Sequence, residues 1–222
     1  TRLLANTVKV VVKYGYLFLD GLKYTLYLSA IAVFFGVIIG SLVAMMRMSR
    51  FRPVKTIATA YIEAIRCTPL LLQLYFFYFM LPDLLPFLND KFICISVALV
   101  INCSAYTSEI VRAGIQAVDR GQMEAARSLG LDGRQTMQRV ILPQAVKNIL
   151  PALCNEFIMV TKETSLASVF FIGDIMTQYR VISGAMYLVI EPLIIAGIIY
   201  FILTFSLSKL VASYERRLSV GD

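Results

Sequence analysis

The sequence predicts an all-α membrane protein with five transmembrane helices, and three observations carry that prediction. First, the 222 residues are 59% hydrophobic and only 16% charged, with a mean hydropathy of +0.75. A soluble domain is nearer half apolar and a quarter charged. Second, several apolar runs reach the roughly 20 residues that a helix needs to cross hydrocarbon. Third, the basic residues concentrate in alternate connections, as they do where short loops mark the cytoplasmic side. A net charge of +7 would also suit nucleic acid. These cations form no patch beside aromatics, however, and we read them as marks of sidedness.

Taken in order, Thr1 to Leu22 mixes Lys9 and Lys13 with Val, Tyr, Leu and Phe, and Lys23 follows. This reads as an amphipathic N-terminal segment at the bilayer surface. The membrane domain then occupies residues 23–222. From Tyr24 to Met46 no residue is charged, which gives the first span. Gly36, Gly40 and Ala44 recur in it at four-residue intervals, a spacing that lets another helix approach closely. The first apolar run is too long for a secretory h-region, and no cleavage site is expected after it.

Arg47, Arg50, Arg52 and Lys55 form a basic connection closed by Pro53. A second span covers about Ile57 to Leu81, with Glu63 and Arg66 at pairing distance in its first half. Pro82, Asp83 and Pro86 make the next turn. A third span runs from about Phe92 to Val111, ending in the similarly spaced Glu109 and Arg112. A fourth begins near Ile149, and a fifth extends from about Leu188 to Leu210. Lys and Arg number four in the first connection, six from Arg112 to Lys147 and three from Lys209 through the tail, against one each in the other two connections, Lys91 and Arg180. This places the C-terminus in the cytoplasm and the N-terminus outside.

Asp119 to Pro143 is the longest water-facing stretch and reads as two short helices. Asp119 precedes Gln122, and Asp132 precedes Gln135, at the spacing of a reciprocal N-terminal cap. Gly130 suits the left-handed residue that ends the first helix, and Pro143 is expected to stop the second. Met123, Ala126 and Leu129 share one face, as do Met137, Val140 and Ile141. Such a segment fits a groove on a partner.

Polar groups interrupt the fourth span. Glu156 and Glu163, seven residues apart, project from nearly the same side of a helix. Ionisable groups within hydrocarbon normally face a bundle interior or a water-filled cavity. Two carboxylates there suit an ammonium group and a cationic side chain. Lys162 is expected to pair structurally, with a neighbouring span or with Glu163, and Glu156 could instead lie at the water interface. Thr164, Ser165 and Ser168 offer hydroxyls to backbone groups where the helix breaks.

Other chemistry is limited by what the chain lacks. Histidine is absent, which excludes most zinc sites, Ser-His-Asp triads and Cys-His dyads. Cys67, Cys94, Cys103 and Cys154 have no metal-ligand spacing and read as small apolar packing residues. There is no phosphate loop of the Gly-x-x-x-x-Gly-Lys-Ser/Thr type. ATP-driven work would therefore require a separate subunit.

These residues carry a resemblance. Glu124, Ala125, Ala126, Gly130, Val140, Leu142 and Pro143 are spaced as in the EAA motif of permeases in ATP-binding-cassette importers, with Val140 in place of Ile. Arg66-Cys-Thr-Pro-Leu-Leu-Leu-Gln73 resembles the Arg-Gly-Thr-Pro-Leu-x-x-Gln segment of permeases for polar amino acids of the histidine/glutamine/arginine class. Cys67 there departs from the usual Gly. Lys162-Glu-Thr-Ser-Leu166 resembles the same class's Lys-Asp-Thr-Ser-Leu. The resemblance runs from about Thr25 to the C-terminus and implies a type I importer fold in the bacterial cytoplasmic (inner) membrane. It implies ATPase coupling through Glu124, Ala125, Ala126, Gly130, Leu142 and Pro143. It places Arg66, Thr68, Gln73, Glu156, Glu163 and Ser165 around the substrate. Arg66 would bind an α-carboxylate or pair with Glu63. The implied partners are an ATP-binding-cassette ATPase dimer that holds ATP and Mg, a second permease subunit, identical or related, and an external solute-binding protein. No cofactor is expected in this chain. Two rival classes remain. An ion-coupled secondary transporter leaves the Glu124–Pro143 pattern unexplained and lacks a visible inverted repeat. An intramembrane enzyme could use Glu63, Glu109, Glu156 and Glu163 as acids and bases, but it has no nucleophile beside a base.

Overall fold

The structure is a computed structural model and describes residues 2–219. Thr1, the expected start of the amphipathic segment, and residues 220–222 at the end of the membrane domain lie outside the described residues, as does the side chain of the tail residue Arg217. The described residues form nine α-helices: α1 Arg2–Arg47, α2 Arg52–Arg66, α3 Leu70–Leu84, α4 Lys91–Gln116, α5 Arg120–Ser128, α6 Gly133–Thr136, α7 Leu142–Glu163, α8 Ile175–Met186 and α9 Ile190–Ser219. Among them, α1, α4 and α9 are each long and apolar enough to cross a membrane, and α2 with α3 qualifies as a broken pair. The fourth expected span, α7, carries Lys147, Glu156, Lys162 and Glu163 and is not one of these.

The N-terminal segment and the first expected span are one continuous helix of 46 residues. The second expected span is not continuous. It breaks at Cys67–Pro69, where Pro69 is extended at φ −63° and ψ 137°. Proline lacks a donor and pushes the residue before it out of the helical region. Thr68 covers part of the break, its hydroxyl donating to Ala64 O at 2.9 Å. The turn expected at Pro82 begins later, because α3 continues to Leu84 and a short 3-10 turn, Pro86–Leu88, follows.

The chain divides into two compact units. Unit one takes α1 up to Val33, Pro69–Val100 and Phe157–Lys209. Its core joins Val10 and Phe18 of α1 to Ile175 and Ile182 of α8 and to Ile195 and Ala196 of α9. The start of α8 is fastened twice. Asp174, fully buried, accepts from Met176 N–H at 3.0 Å and from the Thr177 hydroxyl, and Ile175 N–H donates to Thr25 Oγ1 at 3.3 Å. On the other side of α9, Phe201, Ile202 and Phe205 are exposed, a composition suited to lipid or another chain.

Unit two takes Phe34–Thr68, Ile101–Glu156 and the described residues from Leu210 onward. Here the four-residue repeat of α1 meets α4 as its spacing predicts. A Cβ at Gly40 would lie 2.6 Å from Ser104 O and 2.7 Å from Thr107 Cβ, and one at Gly36 would lie 2.7 Å from Cys103 Sγ. Only glycine permits this approach. α2 lies against the same helix, with the Tyr61 hydroxyl 2.6 Å from Ser104 Oγ and donating to Ile101 O at 3.2 Å.

Candidate coupling segment and substrate site

The segment Asp119–Pro143 belongs to unit two and folds as capped short helices. Asp132 and Gln135 form the expected reciprocal cap: Gln135 N–H donates to Asp132 Oδ1 at 2.7 Å, and Asp132 N–H donates to Gln135 Oε1 at 3.1 Å. The Asp119 cap forms only by half. Its carboxylate accepts from Gly121 N–H at 2.6 Å. Gln122 does not reach back, and its Oε1 instead accepts from Gln144 Nε2 at 3.4 Å. Gly130 adopts the left-handed conformation at φ 84°. Around it Gly130 N–H donates to Arg127 O and Leu131 N–H to Ala126 O, the paired bonds that close a helix C-terminus.

Pro143 does not end the second helix. It lies in the first turn of α7, and Met137–Ile141 forms a π-helical turn between α6 and α7. Leu142 N–H reaches back five residues to Met137 O. The wider turn carries the chain on as helix past a residue whose ring obstructs the carbonyl four back. The three expected face residues separate: Ala126 is buried, Met123 is partly buried, and Leu129 is 84% exposed because α5 has already ended at Ser128. Glu124, Ala125, Gly130, Leu142 and Pro143 are exposed and Ala126 packs inward, so five of the six expected contact residues lie on the surface. Beside them a hollow of about 520 Å³ is bounded by Ile115, Asp119, Met123 and Met137.

Arg66, also in unit two, does not pair with Glu63. Its guanidinium is 4.0 Å from Glu109, which also holds Arg47 and, at 2.7 Å, Arg112. Arg112 donates onward to Gln116 at 2.6 Å, and Arg66 lies 5.7 Å from the Tyr106 ring centroid. Glu109 gathers cations from α1, α2 and its own helix, which Glu63, exposed on the outer side of α2, cannot do. Thr68 and Glu156 belong to the same unit.

In unit one the regular helix stops at Glu163, as the hydroxyl-rich sequence implies. Thr164–Phe170 continues as a 3-10 helix, with the Thr164 hydroxyl donating to Thr161 O at 2.8 Å. Phe171 and Gly173 then take positive φ, 54° and 98°, and turn the chain into α8. Ser165 and Lys162 line a cavity of about 480 Å³ with Arg180, Tyr200 and Thr204. Glu163, half-buried, is next to Lys162 in sequence but does not line this cavity, and no ion pair joins the two among the described residues. Gln73, buried in α3, is another member of unit one away from the cavity wall. Sequence reasoning missed Arg180, Tyr200 and Thr204, counting Arg180 only for sidedness. The missed signal is Asp174 followed by Ile175, Tyr179, Ile182 and Met186, a cap and a helical apolar stripe in a stretch read as a connection.

With this geometry in hand, comparison with known proteins identifies the chain's relatives. Residues 36–220 match the family described as binding-protein-dependent transport system inner membrane component. The chain is 44% identical over 204 residues to the arginine transport system permease protein ArtQ of Bacillus subtilis, covering 92% of this chain and 93% of that one. It is 42% identical over 202 residues to the probable glutamine ABC transporter permease protein GlnM of the same organism, covering 91% and 93%. Among solved structures, an amino acid ABC transporter with histidines aligns at a TM-score of 0.89 and 49% identity, over 93% of this chain and 96% of that one. The MetNI methionine ABC transporter in an inward-facing form shares the fold at a TM-score of 0.67 and 17% identity, over 89% and 96%. The chain therefore belongs to the binding-protein-dependent transport system inner membrane component family, as a permease related to those of amino acid ABC transporters.

Proposed function

We propose that this chain is the membrane-spanning subunit of an ATP-driven importer that carries polar amino acids across the bacterial cytoplasmic membrane. In this reading the chain crosses the bilayer five times, with its N-terminus outside and its C-terminus in the cytoplasm. It works beside a second permease subunit, identical or related. A separate ATPase dimer supplies the energy and holds the ATP and Mg, and an external solute-binding protein delivers the amino acid. The exposed face of Asp119–Pro143 docks on the ATPase. Closure of the two ATPase subunits moves that segment, and the movement shifts the permease between outward-facing and inward-facing states. Glu156 and Glu163 favour an ammonium group and a cationic side chain among the polar amino acids. Ser165, Gln73 and Thr68 provide hydrogen bonds.

The observation that carries the reading is the exposed, doubly capped segment with Glu124 on its surface, in a chain whose family match runs from 36 to 220. Reversing the charge at Glu124 tests it. Glu124→Lys should leave a folded membrane subunit that no longer retains its ATPase in a detergent pull-down and no longer supports uptake. Wild-type retention and uptake in that variant would overturn the coupling role.

A further inference from the structure

Glu109 joins the ends of two helices to the helix that leads into the segment Asp119–Pro143. Arg47 is the last residue of α1 and Arg66 the last of α2, both at helix C-termini, where the backbone dipole favours a cation. Both guanidiniums turn to this one carboxylate, Arg47 in direct contact and Arg66 at 4.0 Å. The Glu109 side chain keeps only 19% of its accessibility, so these contacts are less screened than surface pairs. Arg112 also reaches Glu109, but it comes from α4 itself and brings no other helix with it.

α4 is in turn tied closely to the segment. Only Ala117, Val118 and Asp119 separate α4 from α5. The first two still bond back, Ala117 N–H to Ala113 O at 2.9 Å and Val118 N–H to Ile115 O at 3.4 Å. A Cβ at Gly114 would overlap the Ile149 side chain, so the first half of α7, which follows the segment, packs directly on the end of α4. The segment, the end of α4 and the start of α7 therefore form one body, and Glu109 is where the ends of α1 and α2 are attached to it. Beyond Arg66 the regular helix stops at Cys67–Pro69, so α2 can follow α4 without a continuous helix behind it.

We propose that Glu109 is a positioning residue for transport: through Arg47 and Arg66, its carboxylate makes the ends of α1 and α2 follow the segment when the ATPase moves it. The inference rests on the reading of the chain as the permease of an ATP-driven importer, and it names the contact that carries the movement into the membrane helices. In this role Glu109 touches neither the ATPase nor the amino acid. Its loss should therefore separate hydrolysis from transport, with the ATPase still bound. Coupling between two sites typically corresponds to a factor of about five or more.

The test reconstitutes the permease with its ATPase and solute-binding protein in liposomes. ATP hydrolysis and uptake of radiolabelled L-arginine and L-glutamine are measured in the same preparation, well below the unfolding midpoint. Glu109→Gln should retain its ATPase in a detergent pull-down, yet hydrolyse about fivefold or more ATP per amino acid imported than wild type. Glu109→Asp should recover part of the loss. Arg47→Gln should also raise the ratio, and Arg66→Gln should raise it less, because its guanidinium stands farther off. Arg112→Gln removes a contact within α4 alone and should keep the ratio close to wild type. These three variants decide the matter if Glu109→Gln fails to assemble. Phe18→Leu loosens the core of unit one and serves as a destabilised control, in which hydrolysis and uptake should fall together. A wild-type ratio in Glu109→Gln and Arg47→Gln overturns the inference and leaves the permease reading standing. A rise in Arg112→Gln as large as in Arg47→Gln also overturns it, because the cluster then acts through stability and not through the helices it joins. A wild-type complex that neither hydrolyses ATP in response to the loaded receptor nor imports either amino acid removes the permease reading itself, and this inference with it.

Discussion

The capped segment Asp119–Pro143 and the cluster around Glu109 belong to the same unit, yet different separations along the chain hold them. In the first, the bonds that fix each helix end come from nearby residues: Asp132 with Gln135, Asp119 with Gly121, and Leu131 with Ala126. In the second, Glu109 on α4 holds Arg47 from the end of α1, Arg66 from the end of α2 and Arg112 from its own helix. Local bonds shape a surface that a partner can meet as a preformed body. Distant bonds tie elements together, so their loss releases whole helices. Single local caps contribute about 1 kcal/mol, whereas contacts between helices carry larger penalties when broken. Substitutions in the two regions should therefore differ in size as well as in kind.

The largest effect is expected where α1 meets α4. Gly40→Leu places a branched side chain where even a Cβ would lie 2.6 Å from a backbone oxygen. Flexible side chains can yield, but the Ser104 carbonyl moves only with its helix. The cost should exceed about 3 kcal/mol, and detergent-solubilised variant should run as aggregate in fluorescence-detected size exclusion. A monodisperse peak at wild-type yield would show that this close packing is dispensable.

A smaller but substantial effect is expected from Glu109→Gln, which leaves three guanidiniums without their shared carboxylate. A fully buried pair broken in this way costs about 3–5 kcal/mol. Here the four side chains retain between 19% and 45% of their accessibility, so water and salt reduce the loss to roughly 2 kcal/mol. Thermal unfolding followed by circular dichroism should show a lower midpoint, with a deficit that shrinks as salt is raised. Glu63→Gln should leave the midpoint unchanged, because the Arg66 partner is Glu109 and not Glu63.

How much the sequence revealed follows the same division. The caps at Asp132 and Gly130, the four-residue small stripe of α1 and the loss of regular helix after Glu163 were legible, because each is written in residues a few positions apart. The Arg66 partner was not. Glu63 and Glu109 carry the same side chain, and only the packing of α2 on α4, fixed by Tyr61 with Ser104, decides between them. Pro143 misled for a subtler reason: proline stops a regular helix, but the π turn before it makes room for its ring. α8 was passed over because its apolar stripe is short and follows a chain reversal at Phe171 and Gly173. With it went Arg180, whose position beside Lys162 depends on three elements meeting. The resemblance to importer permeases named six residues of one segment, of which five are exposed and Ala126 is buried. For the substrate side it supplied a roster whose members the fold distributes over both units.

The smallest effects should come from the two caps of the segment Asp119–Pro143, and they offer the finest test of the contrast. Asp132 gives and receives, accepting from Gln135 N–H and having its own N–H bonded by the Gln135 amide. Asp119 only accepts, from Gly121 N–H. Asp132→Ala should therefore cost about 1 kcal/mol and Asp119→Ala about half of that. Neither changes an interhelical contact made by Glu109, so the global unfolding midpoint should barely move. The loss should appear locally, as faster amide exchange in α6 for Asp132→Ala and in the first turn of α5 for Asp119→Ala. Hydrogen exchange read by mass spectrometry on the two variants separates these outcomes. Equal acceleration across α1, α2 and α4 would show that the caps support the whole unit, and the division between local and distant bonding would then fail.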